Sequence, residues 1–313
     1  MAAVPRSLTL PRPFSYNAFT MTQTPPRRMP DWLRVKTGKR HLTESTRALV
    51  QDFGLHTVCE GAHCPNIGEC YSRHVATFMI LGDTCTRNCG FCAVNSGQPL
   101  PLDAAEPERV AQAAAGLSLK YVVVTSVTRD DLPDGGAGQF ASTIEAVHGA
   151  IPGASVEVLT PDFGGDRVAI KIVLDAAPEV FNHNVETARR LQATVRPQAN
   201  YDRSLGVLRA AREIAPGIPT KSGIMVGLGE TEAEVHETLA DLRDAGCEIV
   251  TIGQYLQPSR RHLPVVDYVP PEQFQLFESH AYGLGFRHVA SGPFVRSSYQ
   301  AERSADAVRG TTH

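Results

Sequence analysis

Val75-Ala76-Thr77-Phe78-Met79-Ile80-Leu81, followed at once by Gly82-Asp83-Thr84-Cys85-Thr86-Arg87-Asn88-Cys89-Gly90-Phe91-Cys92, decides the fold. The first seven residues are almost wholly apolar and too few for a buried helix. They read as a strand covered on both faces, as in a parallel sheet. A polar loop with three thiols follows directly, so reactive side chains stand at the carboxyl end of that strand.

Working outward, helical patterns and short apolar runs alternate. A helix opens at Pro107 and stops at Gly116, the usual asymmetry of proline at the start and glycine at the end. Tyr121–Thr125 is the next strand, and the helix after it carries Phe140, Ile144, Val147 and Ile151 at three- and four-residue spacing. Val156–Leu159, Val180–Asn182, Thr220–Val226 and Ile249–Gln254 supply four further strands. Thr231-Glu232-Ala233-Glu234 is a capping box for a helix that ends at Gly246, and a last helix begins near Pro271. Six successive β-then-α units predict an α/β fold with a parallel sheet and right-handed crossovers. Six are too few to close an eight-stranded barrel, so the expectation is an open, partial (βα)6 TIM-like barrel. Chemistry in such folds gathers at the carboxyl ends of the strands. Cys85, Thr125-Ser126 and Asn182-His183-Asn184 all fall there.

The expected organisation is a tail over 1–30, an N-terminal extension over 31–74, the barrel over 75–285 and a C-terminal extension over 286–313. The tail has four arginines, six prolines and no acidic residue. Its prolines forbid the long amphipathic helix of a transit peptide, so it reads as disordered, or as sequence upstream of a true start at Met21 or Met29.

The 313 residues carry 30 Lys+Arg against 33 Asp+Glu, a formal charge of −3, which removes the electrostatic case for a nucleic-acid binder. Apolar residues at 42% and charged residues at 20% are ordinary for a globular chain. No apolar run approaches the ~20 residues of a membrane helix. No secretory signal pattern opens the chain, so the expected location is the cytoplasm.

Six of the seven cysteines lie between positions 59 and 92. In a reducing compartment, clustered thiols read as metal or redox chemistry rather than disulfides. Cys85, Cys89 and Cys92 form C-x3-C-x2-C. Three thiolates can hold three corners of an iron–sulfur cubane and leave one iron open for chemistry. Structural zinc prefers four closing ligands, often as two C-x2–4-C pairs, which this order does not provide. Cys59, Cys64 and Cys70 form a second triplet, C-x4-C-x5-C, again one ligand short of four.

The first spacing, with Phe91 before the third cysteine, resembles the radical S-adenosylmethionine (SAM) superfamily, whose fold is the same partial barrel. Both triplets with Arg296-Ser297-Ser298-Tyr299 resemble the lipoyl synthase family, from about Asp31 to Tyr299. The matching stretches include Pro65–Cys70, Thr125–Asp131, Phe181–Thr187, Lys221–Glu230 and Gln254–Pro258. The resemblance implies two [4Fe–4S] clusters and SAM as cofactors. Cys85, Cys89 and Cys92 would hold the radical-generating cluster. Cys59, Cys64, Cys70 and Ser298 would hold an auxiliary cluster consumed as the sulfur donor. Serine oxygen is a harder, weaker match for iron than thiolate, which suits an iron that must be lost.

It further implies insertion of two sulfur atoms at C6 and C8 of an octanoyl chain on a carrier lysine, with two SAM used. The implied partners are octanoylated lipoyl carrier domains (the 2-oxoacid dehydrogenase E2 subunit and the glycine cleavage H protein), a ferredoxin or flavodoxin reductant, and an iron–sulfur carrier. Phe91, Thr125, Ser126, Glu157, Asn182 and Asn184 are the candidate SAM contacts, each also readable as a barrel-rim hydrogen-bonding group. Cys247 reads as a small buried hydrophobe and His183 as a satisfied interior histidine. Two rivals stand beside this reading. A biotin synthase-like sulfur inserter would need Cys85, Cys89 and Cys92 only. A non-enzymatic iron–sulfur carrier would need the thiols but not the six βα units.

Overall fold

The deciding strand forms as Thr77–Ile80, buried along its whole length, in the computed structural model of the chain, which describes residues 28–34 and 39–309. Apart from Arg28–Pro30, the segment read as a tail lies outside the described residues. The strands are β1 (His56–Thr57), β2 (Thr77–Ile80), β3 (Thr84–Cys85), β4 (Asn95–Ser96), β5 (Tyr121–Ser126), β6 (Ser155–Leu159), β7 (Val180–Asn182), β8 (Thr220–Val226), β9 (Ile249–Gln254) and β10 (His288–Gly292). One sheet runs β1-β2-β5-β6-β7-β8-β9-β10. Only the β1–β2 pairing is antiparallel; the rest are parallel. β1 and β10 are the two edges, so the barrel is open. β3 and β4 pair separately and flank the cysteine loop.

Three predicted strands, β7, β8 and β9, form with the expected ends. The capping box is complete, with Thr231 accepting from Glu234 N and Glu234 accepting from Thr231 N. The sequence pattern did not reveal β10, a seventh parallel strand inside the stretch read as the C-terminal extension, nor the helix Ala301–Arg309.

Alternation along the strands separates two faces. Val250 and Ile252 of β9 and Ile224 of β8 pack outward with Val235, Leu239, Phe274 and Phe277 of the crossover helices. Gly223, Thr251 and Gly253 therefore face inward. Tyr121, Val180 and Ile249 are the first residues of β5, β7 and β9, and they pack with Ala305 and Val308. The C-terminal helix thus plugs the amino-terminal end of the barrel from within. Above the plug sits a polar layer in which Lys221 Nζ donates to Glu157 Oε1 at 2.8 Å, both side chains almost wholly buried. Between plug and rim, residues 294–299 lie against the inner face. A Cβ on Gly253 would come within 2.1 Å of the Val295 carbonyl oxygen, and one on Gly223 within 3.1 Å of Ser297 Oγ. Only glycine lets a second backbone approach a strand this closely.

Candidate active site

The loop Cys85–Cys92 leaves β2 through Leu81 and Gly82, both at positive φ. It is fastened on several sides. Arg87 Nε and Nη2 donate to Asp130 at 2.8 and 2.7 Å, and Nη1 and Nη2 to Asp162 at 2.9 and 2.7 Å. Gly90 N donates to Val195 O, Leu263 N to Gly90 O, and Asn88 N to the Gln198 side chain. Burial opposes charge on Arg87 and Asp162, but their paired hydrogen bonds prevail. Arg87 is held above the usual guanidinium range and Asp162 below the usual carboxylate range. Cys85 Sγ accepts from Arg87 N and Thr128 N at 3.4 and 3.3 Å. Burial raises the Cys89 thiol and pushes Cys92 up to about 12. Such thiols ionise when a metal replaces the proton.

The second triplet is mounted on two short helices, Val58–Gly61 and Ile67–Tyr71. Thr57 caps the first through Glu60 N, and its hydroxyl pairs with Tyr71 Oη at 2.7 Å. Cys59, Cys64, Cys70 and Ser298 line one cavity with an empty volume of about 300 Å³. Burial pushes the Cys59 thiol up to about 12 and Cys70 to about 11. The C-terminal segment is latched here by two hydrogen bonds. Asn66 Nδ2 donates to Phe294 O at 2.7 Å, and Tyr299 Oη meets Glu69 Oε1 at 3.3 Å. Ser297 faces the other way and accepts from Asn184 Nδ2. Sequence reasoning did not reveal these latches, because they join residues more than a hundred positions apart; the choice of Ser298 over Ser297 rested on the family resemblance alone.

Among the described residues no three His, Cys, Asp or Glu side chains converge on a single ion position. Three thiols and a hydroxyl ring a cavity instead, a donor set in which each side chain can take its own iron. The residues present fit a cubane. At the barrel rim, Ser126 Oγ, Asn182 Oδ1 and Asn184 Oδ1 are buried polar atoms without a hydrogen-bond partner among the described residues. Thr125 Oγ1 donates to Leu159 O, leaving lone pairs to accept. These groups fit a polar ligand. Phe91 packs beside Val195, Leu228 and Tyr255.

Glu157 stands apart from these residues. Lys221, Tyr121 and Asn182 all donate to its carboxylate, which sits in the polar layer below the rim. Of the candidate SAM contacts it is the one whose acceptor atoms are already supplied with partners inside the chain. His183 is satisfied, its nitrogens at 2.9 Å from Thr160 O and 3.0 Å from Ser204 Oγ. Cys247 is fully buried among apolar neighbours. A further cavity, of about 290 Å³, opens between the stretch bearing Cys59 and the stretch after Cys92. It is lined by His56, Glu60 and His63 on one side and by Asp83, Val94 and Asn95 on the other.

An open parallel barrel with a three-thiol loop at its carboxyl rim defines the radical SAM class, and the pattern of the Radical SAM superfamily matches residues 79–242. Methylornithine synthase superposes with a TM-score of 0.52 at 14% identity, over 85% of this chain and 82% of its own. SuiB of Streptococcus suis, in complex with S-adenosylmethionine, gives the same TM-score at 10% identity, over 69% and 50%. These likenesses concern the fold. The sequence reaches further. Lipoyl synthase of Caldanaerobacter subterraneus is 56% identical over 90% of this chain and 99% of the relative. That of Rubrobacter xylanophilus is 56% identical over 90% and 88%. The chain belongs to the lipoyl synthase family, sulfurtransferases that use SAM and [4Fe–4S] clusters. No helix among the described residues is long and apolar enough to cross a membrane.

Proposed function

We propose that this chain converts a protein-bound octanoyl group to a lipoyl group by inserting sulfur at C6 and C8. The observation that carries the reading is the second three-thiol site closed by Ser298, which a biotin synthase-like enzyme would not need and a simple carrier would not house beside a barrel. In this reading Cys85, Cys89 and Cys92 hold the radical-generating cluster, while Cys59, Cys64, Cys70 and Ser298 hold the cluster that serves as sulfur substrate. When bound, the first cluster and SAM supply a 5′-deoxyadenosyl radical, the agent needed because the target C–H bonds have no acidity for a base to use.

The chain's own residues orient and enclose. Arg87, fixed to Asp130 and Asp162, holds the cysteine loop at one depth on the rim. Thr125, Ser126, Asn182 and Asn184 supply acceptors and donors for the amine, carboxylate and ribose of SAM, and Phe91 an apolar contact for its adenine. Ser298 gives the departing iron its weakest ligand. The polar cavity between the two triplets suits the amide end of the substrate better than its acyl chain. Burying about six methylenes at ~0.8 kcal/mol each contributes roughly 5 kcal/mol to binding. A free carboxylate would resist the same transfer, and tethering fixes the depth at which C6 and C8 are presented.

The reading extends to a lipoyl carrier domain (of a 2-oxoacid dehydrogenase E2 or glycine cleavage H protein) as substrate, a ferredoxin or flavodoxin as reductant, an iron–sulfur carrier for repair, and the cytoplasm as its place. The test is mass spectrometry of an octanoylated carrier domain after anaerobic incubation with the loaded enzyme, SAM and reductant. A gain of two sulfurs is expected, with free octanoate converted far less well. An unchanged carrier mass would overturn the reading.

A further inference from the structure

Arg296 is the only charged side chain among the residues lining the auxiliary cavity, where it meets Cys59, Cys64, Cys70 and Ser298. Other interior arginines are provided for. Arg87 has two carboxylates and Arg129 has Asp131. Arg196 lacks a carboxylate but reaches the Asn184 and Val185 carbonyls and Ser204 Oγ. Arg296 forms no ion pair among the described residues, and its hydrogen bond runs to the adjoining Val295 carbonyl at 2.7 Å. Arg296 is part-buried, and even partial desolvation of a cation without a counter-charge is unfavourable. Its position makes sense if the cavity's occupant is the counter-charge.

Three thiolates and one alkoxide around a [4Fe–4S]2+ core make a dianion, and net charge is a principal determinant of how firmly such a core is held and how readily it is reduced. We propose that Arg296 is a positioning residue for the auxiliary cluster: its cation compensates the dianion, so the same side chain destabilises the empty site and stabilises the filled one. The proposal rests on the assignment of Cys59, Cys64 and Cys70 as cluster ligands. A guanidinium suits the task because it is always charged and only weakly hydrated.

The test uses the full chain with Cys85, Cys89 and Cys92 replaced by alanine, so that the auxiliary site alone binds iron. Arg296→Met keeps length and apolar bulk, while Arg296→Lys keeps the charge. Extraction of iron by a chelator, followed by the iron–thiolate absorption, is expected to be roughly tenfold or more faster in Arg296→Met and close to the parent rate in Arg296→Lys. The auxiliary reduction potential should become more negative in Arg296→Met, since a neighbouring positive charge is gone. Thermal unfolding supplies a readout that a packing role would not reproduce. Iron-free Arg296→Met should melt above its parent, and the loaded protein below it. Equal extraction rates, or a lower melting temperature in both forms, would overturn the proposal while leaving the ligand assignment intact. Failure of the parent itself to hold iron would instead remove that assignment, and the proposal with it.

Discussion

The two cysteine triplets solve one coordination problem in opposite ways. Cys85, Cys89 and Cys92 sit within eight residues on a loop between β2 and the first crossover helix, closed by no fourth protein ligand. Their support is ionic and interior: Arg87 buried between Asp130 and Asp162, with Asp162 wholly inaccessible. Cys59 and Cys70 ride on short helices outside the barrel with Cys64 in the turn between them, and Ser298 reaches them from far along the chain. The segment bearing Ser298 is joined to them by two hydrogen bonds, Asn66 to Phe294 and Tyr299 to Glu69, while Arg47–Glu60 and Thr46 to the Tyr71 carbonyl hold the helices themselves. A site meant to survive each cycle is anchored rigidly. In the proposed assignment, the site that is dismantled and refilled is closed by a segment that arrives from far along the chain and meets it through neutral hydrogen bonds.

The sharpest separation should come from the ligands themselves. Cys85→Ala is expected to abolish 5′-deoxyadenosine formation. Cys59→Ala should keep it while stopping sulfur insertion, as chromatography of the nucleoside beside carrier mass will show. Each variant should lose about half of the roughly eight irons of the loaded chain.

Removing the anchors comes next. Arg87→Met leaves the buried Asp162 carboxylate with only the longer Arg203 contact at 3.5 Å and the Gly164 amide and should cost about 3 kcal/mol in urea unfolding, whereas Asn66→Ala, which removes one neutral latch, should cost about 1 kcal/mol. Comparable losses would erase the contrast between rigid and light support.

Acid should distinguish the two regions as well. His183 lies beside the Asp162 anchor, and burial, then the Arg196 charge, depresses it to about 4 against 6.5. The unfolded chain therefore binds a proton that the folded one refuses. The contribution is present above pH 6.5 and lost as pH falls toward 4, roughly 3 kcal/mol in all. A His183→Gln variant should unfold with a flatter pH profile across that window, and the auxiliary side should not respond in the same way.

The smallest expected effect on stability concerns the serines. Ser298→Ala should leave SAM cleavage in place and impair sulfur transfer, while Ser297→Ala should do neither strongly, because Ser297 is turned toward Asn184. Equal impairment would mean that the segment, rather than one oxygen, matters.

Much of the barrel was legible because buried parallel strands are apolar throughout and their helices announce their ends. β7, β8 and β9 formed with the ends their apolar runs implied. β10 escaped because His288-Val289-Ala290-Ser291-Gly292 lacks that pattern, being an edge strand of mostly small residues beside the passing segment. The Ala301–Arg309 helix did carry a signal, with Ala301, Ala305 and Val308 on one stripe, too weakly hydrophobic to stand out. At the site, short spacing made the thiols conspicuous. The Arg87 clamp and the Glu157–Lys221 pair join distant parts of the chain, and only the register of the sheet brings them together, whereas Ser298 was named from the family resemblance and not from any pattern of its own.

The latch between Asn66 and Phe294 spans 228 residues, and it therefore sets an order of events at the ribosome. Translation at about 5–20 residues/s delivers the three auxiliary thiols some ten to fifty seconds before the serine that completes their ligand set. The loop of Cys85–Cys92 and its partners Asp130 and Asp162 emerge well within that interval. Val195, Gln198 and Leu263, which also fasten that loop, likewise precede Ser298, so in the proposed assignment the auxiliary ligand set is completed only after every partner of the catalytic loop has emerged.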